Sequence, residues 1–214
     1  MDLAIVIGCF VLAYLGAWSV HFPGPGTVAV IGGIAAASWR LAARGSSWQA
    51  VGVRVPESWR HAVLWTIGLY AATALLVAFV VTPLSNASHW PAMDLSRFSA
   101  LRGNAVALTG WLIVAWISAA IGEELLFRGY LMAQLLAEPG KGWCRVASAV
   151  MIQAALFGVA HAYLGLRGVL TAGCVGLVYG AVYLCNGRNL VPLILAHGLT
   201  DSLSLVAIYL GVVS

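Results

Sequence analysis

WLIVAWISAAIGEELLFRGYLMAQLLA, Trp111 to Ala137, carries no charge except at Glu123, Glu124 and Arg128. As a helix rising 1.5 Å per residue it is about 40 Å long, more than the hydrocarbon thickness of a bilayer. An ionisable side chain at membrane depth costs about 2.5 to 3.5 kcal/mol on insertion scales and marks a functional site by default. Two adjacent glutamates call for a chemical explanation, because the chain has only seven acidic residues.

The rest of the chain supports the membrane reading. It is 62% apolar and 8% charged over 214 residues, with a mean hydropathy of +0.94; soluble domains average roughly 25% charged. Stretches long enough to cross a bilayer run over about Leu3–Val20, Gly26–Ala43, Ala62–Thr82, Asn104–Ala137, Arg145–Tyr163, Gly168–Asn186 and Leu190–Leu210. The expected fold is an all-α, polytopic transmembrane bundle of about seven spanning helices. No linker is long or polar enough to separate two folding units, so residues 1–214 read as one membrane-embedded domain. The first helix begins with Asp2 and has no basic leader, so it is expected to stay in the protein. Cys9, Cys144, Cys174 and Cys185 show neither metal-site nor disulfide spacing and read as buried small hydrophobes.

The net charge of +4 fits orientation better than nucleic-acid binding. Arg40, Arg44, Arg54 and Arg60 cluster between helices two and three, which places that loop on the cytoplasmic side. Lys141, Arg145 and Arg188 agree, whereas Arg97 and Arg102, before helix four, do not. The later part of the loop from Pro83 to Gly103 reads as a short interfacial helix.

On an α-helix, residues four apart nearly eclipse. Glu124 and Arg128 therefore share a face, with the acid favourably N-terminal, and a structural ion pair explains that couple as well as a functional one does. Glu123 points about 100° away, along the stripe of Phe127 and Tyr130, and stays unexplained. Gln153, Phe157 and His161 form a polar and aromatic stripe on helix five, and His197 and Asp201 are four apart on helix seven. A single histidine on an apolar helix is most often a packing residue. Glu123, Glu124, His161, His197 and Asp201 together, on three helices with few other charges, argue for one shared polar site. Gly168, Ala172, Gly176 and Gly180 make a small-residue stripe on helix six, which would draw helices five and seven together.

EELLFR from Glu123, FGVAH from Phe157 and HGLTD from His197 resemble the EExxxR, FxxxH and HxxxN or HxxxD signatures of the CAAX protease and bacteriocin-processing (Abi) family of intramembrane proteases. That family is related to the Ras-converting CAAX endopeptidase. The resemblance covers residues 104–214, the catalytic core it implies; residues 1–103 supply N-terminal helices that match nothing beyond apolar spans. It implies an endopeptidase acting on membrane-tethered proteins or peptides, with no nucleic-acid partner. Glu123 and His161 would activate a water, Glu124 with Arg128 would orient the apparatus, and His197 with Asp201 would stabilise the oxyanion. Asp201 fits least well, since an ionised carboxylate cannot donate to an oxyanion; it must hold a proton, orient His197 or bind a metal. Glu123, His161, His197 and Asp201 also suit a divalent ion such as Zn²⁺, although the metal-free glutamate mechanism is preferred.

The competing readings are an ion- or proton-coupled transporter and a catalytically silent immunity or scaffold member of the family. One lysine against ten arginines hints at a GC-rich genome and a bacterial inner membrane. If every helix spans simply, Glu123 and His161 fall at opposite depths and cannot meet; but the run of helix four, near 50 Å at about 1.5 Å per residue, must tilt, break or extend beyond the bilayer, which would move Glu123 toward mid-membrane, with His161 a turn or two deeper than simple spanning places it.

Overall fold

The structure, a computed structural model, describes residues 2–21, 24–139 and 142–213. Seven helices are long and apolar enough to cross a membrane: α1 (Asp2–Ser19), α2 (Pro25–Ala43), α3 (Trp59–Ala87), α4 (Ala105–Ala137), α5 (Gly142–Ala160), α6 (Ala162–Cys185) and α7 (Val191–Tyr209). Among the described residues there is no strand. The chain is thus an all-helical, multi-pass integral membrane protein. Its outer surface carries large exposed apolar side chains, such as Leu12, Trp18, Phe79 and Ile117, which in a chain of spanning helices face lipid.

Local signals set the helix ends. Ser58 Oγ accepts from the His61 N–H at 3.4 Å and caps α3, and Asn104 Oδ1 accepts from the Ala107 N–H at 3.1 Å and caps α4. Pro25 and Pro192 stand in the first turns of α2 and α7, where a missing N–H costs nothing. Several boundaries differ from the expected ones. α3 continues to Ala87, so the expected interfacial helix shrinks to a 3₁₀ segment over Ser96–Leu101. α5 ends at Ala160, leaving His161 in a turn before a further 3₁₀ turn, Ala162–Leu164. Lys141 lies outside the described residues.

α4 is the axis of the bundle. Leu126, Phe127, Tyr130 and Leu131 on one side pack with Val6, Val30, Ala37 and Leu41 of α1 and α2. Met132 packs on the other side with Leu69, Tyr179, Tyr183 and Leu193 of α3, α6 and α7. Two glycines let helices touch α4 closely: a Cβ on Gly122 would lie 2.4 Å from Val30 Cγ1, and one on Gly198 would lie 2.6 Å from the Trp116 ring. From Ala115 to Leu131 the helix is π-type, and the Met132 N–H reaches the Phe127 carbonyl, five residues back. Such turns are rare and gather at functional sites.

The small-residue stripe of α6 faces α5, with Gly176 against Ala154 and Gly180 against Gln153. It does not draw in α7, which packs on α3 and α4 instead. The arginine-rich loops share one end of the bundle. There the buried Asp2 carboxylate pairs with both Arg40 and Arg44, and Arg54 donates to the Gly187 carbonyl at 2.6 Å. Gly52 closes this end: its φ is 112°, and a Cβ would meet the Arg188 carbonyl oxygen at 2.5 Å.

Candidate active site

All six residues singled out in the sequence come together between α4, α7 and the C-terminal end of α5. Glu124 and Arg128 are completely buried, and Arg128 Nη1 donates to Glu124 Oε1 at 2.8 Å. The guanidinium is held between rings, 4.1 Å from Phe157 and 5.1 Å from Tyr179. The π-type turns therefore preserve the expected meeting of residues 124 and 128.

His197 joins the same carboxylate, with Nδ1 2.9 Å from Glu124 Oε1. A carboxylate paired with arginine only accepts hydrogen bonds, so His197 Nδ1 carries the hydrogen. The opposite nitrogen, Nε2, faces Asp201 Oδ2 at 3.6 Å. His161 is fixed in a parallel way: its Nδ1 is 2.9 Å from the Phe157 carbonyl oxygen, which accepts only, so neutral His161 has its Nε2 lone pair free. That nitrogen faces Glu123 Oε2 at 4.0 Å. The two residues therefore meet, and simple spanning of every helix does not hold. Glu123 is near the middle of the 33-residue α4, and the helix runs on to Ala137, well beyond a simple span.

Exposure separates the groups further. Glu123 retains 19% of its side-chain exposure and Asp201 31%, against 0% for Glu124. Phe157 organises the centre: it meets Phe127 edge-on at 5.1 Å, His161 at 4.6 Å and His197 at 6.3 Å. Gln153, from the same stripe, takes no part, because its Nε2 donates to the Gly176 carbonyl at 2.7 Å and ties α5 to α6.

Sequence reasoning missed Tyr179, which lies over both Arg128 and His197, and Trp116, whose Nε1 donates to Ser202 Oγ at 3.1 Å. Both look like ordinary aromatic residues of apolar helices, and only packing reveals them. Tyr163 was also missed; it stacks on His161 at 5.8 Å and carries Arg97 on its ring at 4.5 Å.

A metal needs several donors aimed at one point. Here each histidine has Nδ1 committed, and the two Nε2 atoms face different carboxylates. No three His, Cys, Asp or Glu side chains among the described residues converge to hold an ion.

No curated protein and no solved structure matches the chain significantly. The model of a protein family, described as type II CAAX prenyl endopeptidase Rce1-like, matches residues 105–203, from the first turn of α4 into the last part of α7. That interval contains Glu123, Glu124, Arg128, His161, His197 and Asp201, and over it the chain is similar to the Rce1-like type II CAAX prenyl endopeptidases.

Proposed function

We propose that this chain is an intramembrane endopeptidase that hydrolyses a peptide bond in membrane-tethered proteins or peptides, using a water activated by Glu123 and His161. One observation carries the reading: a carboxylate oxygen and an imidazole lone pair face each other at 4.0 Å, a separation that a bridging water spans. Both are acceptors, so a water there donates both hydrogens and turns an oxygen lone pair outward. Glu123 takes one proton as that lone pair attacks the substrate carbonyl, and later returns it to the departing amine. His161 holds the water in line and is itself fixed through Nδ1.

His197 supplies the second requirement. Glu124 and Arg128 lock its ring, and as an imidazolium it offers Nε2–H to the oxyanion. Asp201 flanks that nitrogen. Ionised, it steadies the imidazolium; protonated, it adds a second donor. The step is read as metal-free, with each histidine's Nδ1 already committed to another acceptor. α1–α3 act as a brace for the catalytic core, with Val30 and Ile34 packed against Gly122, next to Glu123. The arginine-rich composition supports a bacterial inner membrane. Similarity to the endopeptidase family model over residues 105–203 favours peptidase chemistry over transport.

The test is cleavage of lipidated peptides in vesicles by wild type and Glu123→Gln, with and without a strong zinc chelator. The expected result is loss of turnover in Glu123→Gln and no effect of the chelator. Undiminished cleavage by Glu123→Gln would sink the mechanism, and zinc-reversible inhibition would overturn its metal-free form.

A further inference from the structure

We propose that Arg97 docks the free C-terminal carboxylate of the substrate and thereby sets how far from the chain end the cut falls. This rests on the endopeptidase reading of the Glu123–His161 pair. At the end of the bundle opposite the arginine-rich loops, Arg167 is committed, donating to Asn86 Oδ1 at 2.9 Å and to the Trp90 carbonyl at 3.0 Å. Arg102 packs along Gly211 at the end of α7. Among the described residues Arg97 is tied to no carbonyl or carboxylate in this way, and nearby Asp94 is turned to the Ser96 N–H at 2.9 Å.

Arg97 is nevertheless held in place. Its guanidinium carbon lies 4.5 Å from the Tyr163 ring, 5.1 Å from Trp111 and 5.4 Å from Phe98, while the side chain stays exposed. Ring contacts fix the plane of a guanidinium and leave its N–H fork free for a carboxylate. Position supplies the rest. Tyr163 stacks directly on His161 at 5.8 Å, so the guanidinium lies within about 10 Å of the imidazole. Extended chain covers about 3.3 to 3.6 Å per residue, so a tail of up to about three residues reaches from a bond cut beside His161 to a carboxylate at Arg97. Orientation does not explain this cation, which lies away from the arginine cluster.

The test uses the full chain in phosphatidylcholine vesicles and peptides with a farnesylated cysteine followed by three residues, ending in a carboxylate or a carboxamide. Hydrogen bonds to a charged group predict a preference for the carboxylate of about tenfold to a hundredfold in kcat/KM, carried by KM. Arg97→Gln should abolish that preference, and Arg97→Lys should restore part of it. Lengthening the tail to seven residues should abolish it too. Binding of the same two peptides to Glu123→Gln reads the docking without turnover and should show the same preference. Equal cleavage of both peptides by wild type would overturn the proposal, as would a preference surviving in Arg97→Gln. So would an equal slowing of both peptides in that variant, which would mark Arg97 as mere packing, or an effect that appears only with anionic lipid. Preferential binding by a chain that cuts neither peptide would sink the peptidase reading and leave the dock standing.

Discussion

Glu123 and Glu124 are neighbours in sequence and opposites in environment. Glu124 is sealed: Arg128 and His197 share one of its oxygens, and Phe157 and Tyr179 cover the arginine. Glu123 keeps 19% of its side-chain exposure, with His161 Nε2 4.0 Å from its Oε2, though each glutamate leaves one buried oxygen without a hydrogen-bond partner. One residue of helical rotation turns Glu124 toward an interior ion-pair network and Glu123 toward His161. On the proposed mechanism, adjacent positions would thus supply a fixed donor and a free base.

This contrast can be broken from either side. The largest effects should come from the open side: Glu123→Gln should lower turnover by about a thousandfold or more, within the range for a lost general base, while the melting temperature stays near that of wild type. The sealed side should answer in stability. Arg128→Ala strands a buried carboxylate and should cost about 3 to 5 kcal/mol in detergent unfolding, whereas the double change Glu124→Leu with Arg128→Met should cost much less. Gly198→Val forces a side chain into the Trp116 ring, beside His197, and should lose about 1 to 3 kcal/mol together with activity. Asp201→Asn keeps the shape and adds an amide donor, so cleavage should remain within about threefold of wild type; a collapse would show that a carboxyl group is essential there. Gln153→Met should cost about 1 kcal/mol in stability and leave activity intact, since Gln153 bonds only to backbone.

Much of this was legible in the residues because membrane insertion leaves so few alternatives. Long apolar stretches must be helices, since unpaired backbone groups cannot lie in hydrocarbon, and ionisable groups among them stand out. Spacing by four gave the Glu124–Arg128 pair and the His197–Asp201 neighbourhood. Depth was legible only in part. Simple spanning would place Glu123 and His161 too far apart; the length of α4 already argued against it in the sequence, but the end of α5 at Ala160 did not show there. The partner of the small-residue stripe was only half legible too, because glycines announce close approach without naming the helix that approaches.

By itself, then, the sequence determined that the chain is a bundle of about seven membrane helices, and which titratable groups lie inside it. Periodicity and the cost of burying charge are local properties, readable along one dimension. Tertiary structure alone decided that Glu124 holds His197 and that Arg97 stands on Tyr163, and it brought Glu123 to His161, which the motifs only implied. These depend on the relative depth and rotation of helices far apart in the chain, which side-chain packing against α4 sets and no single segment encodes.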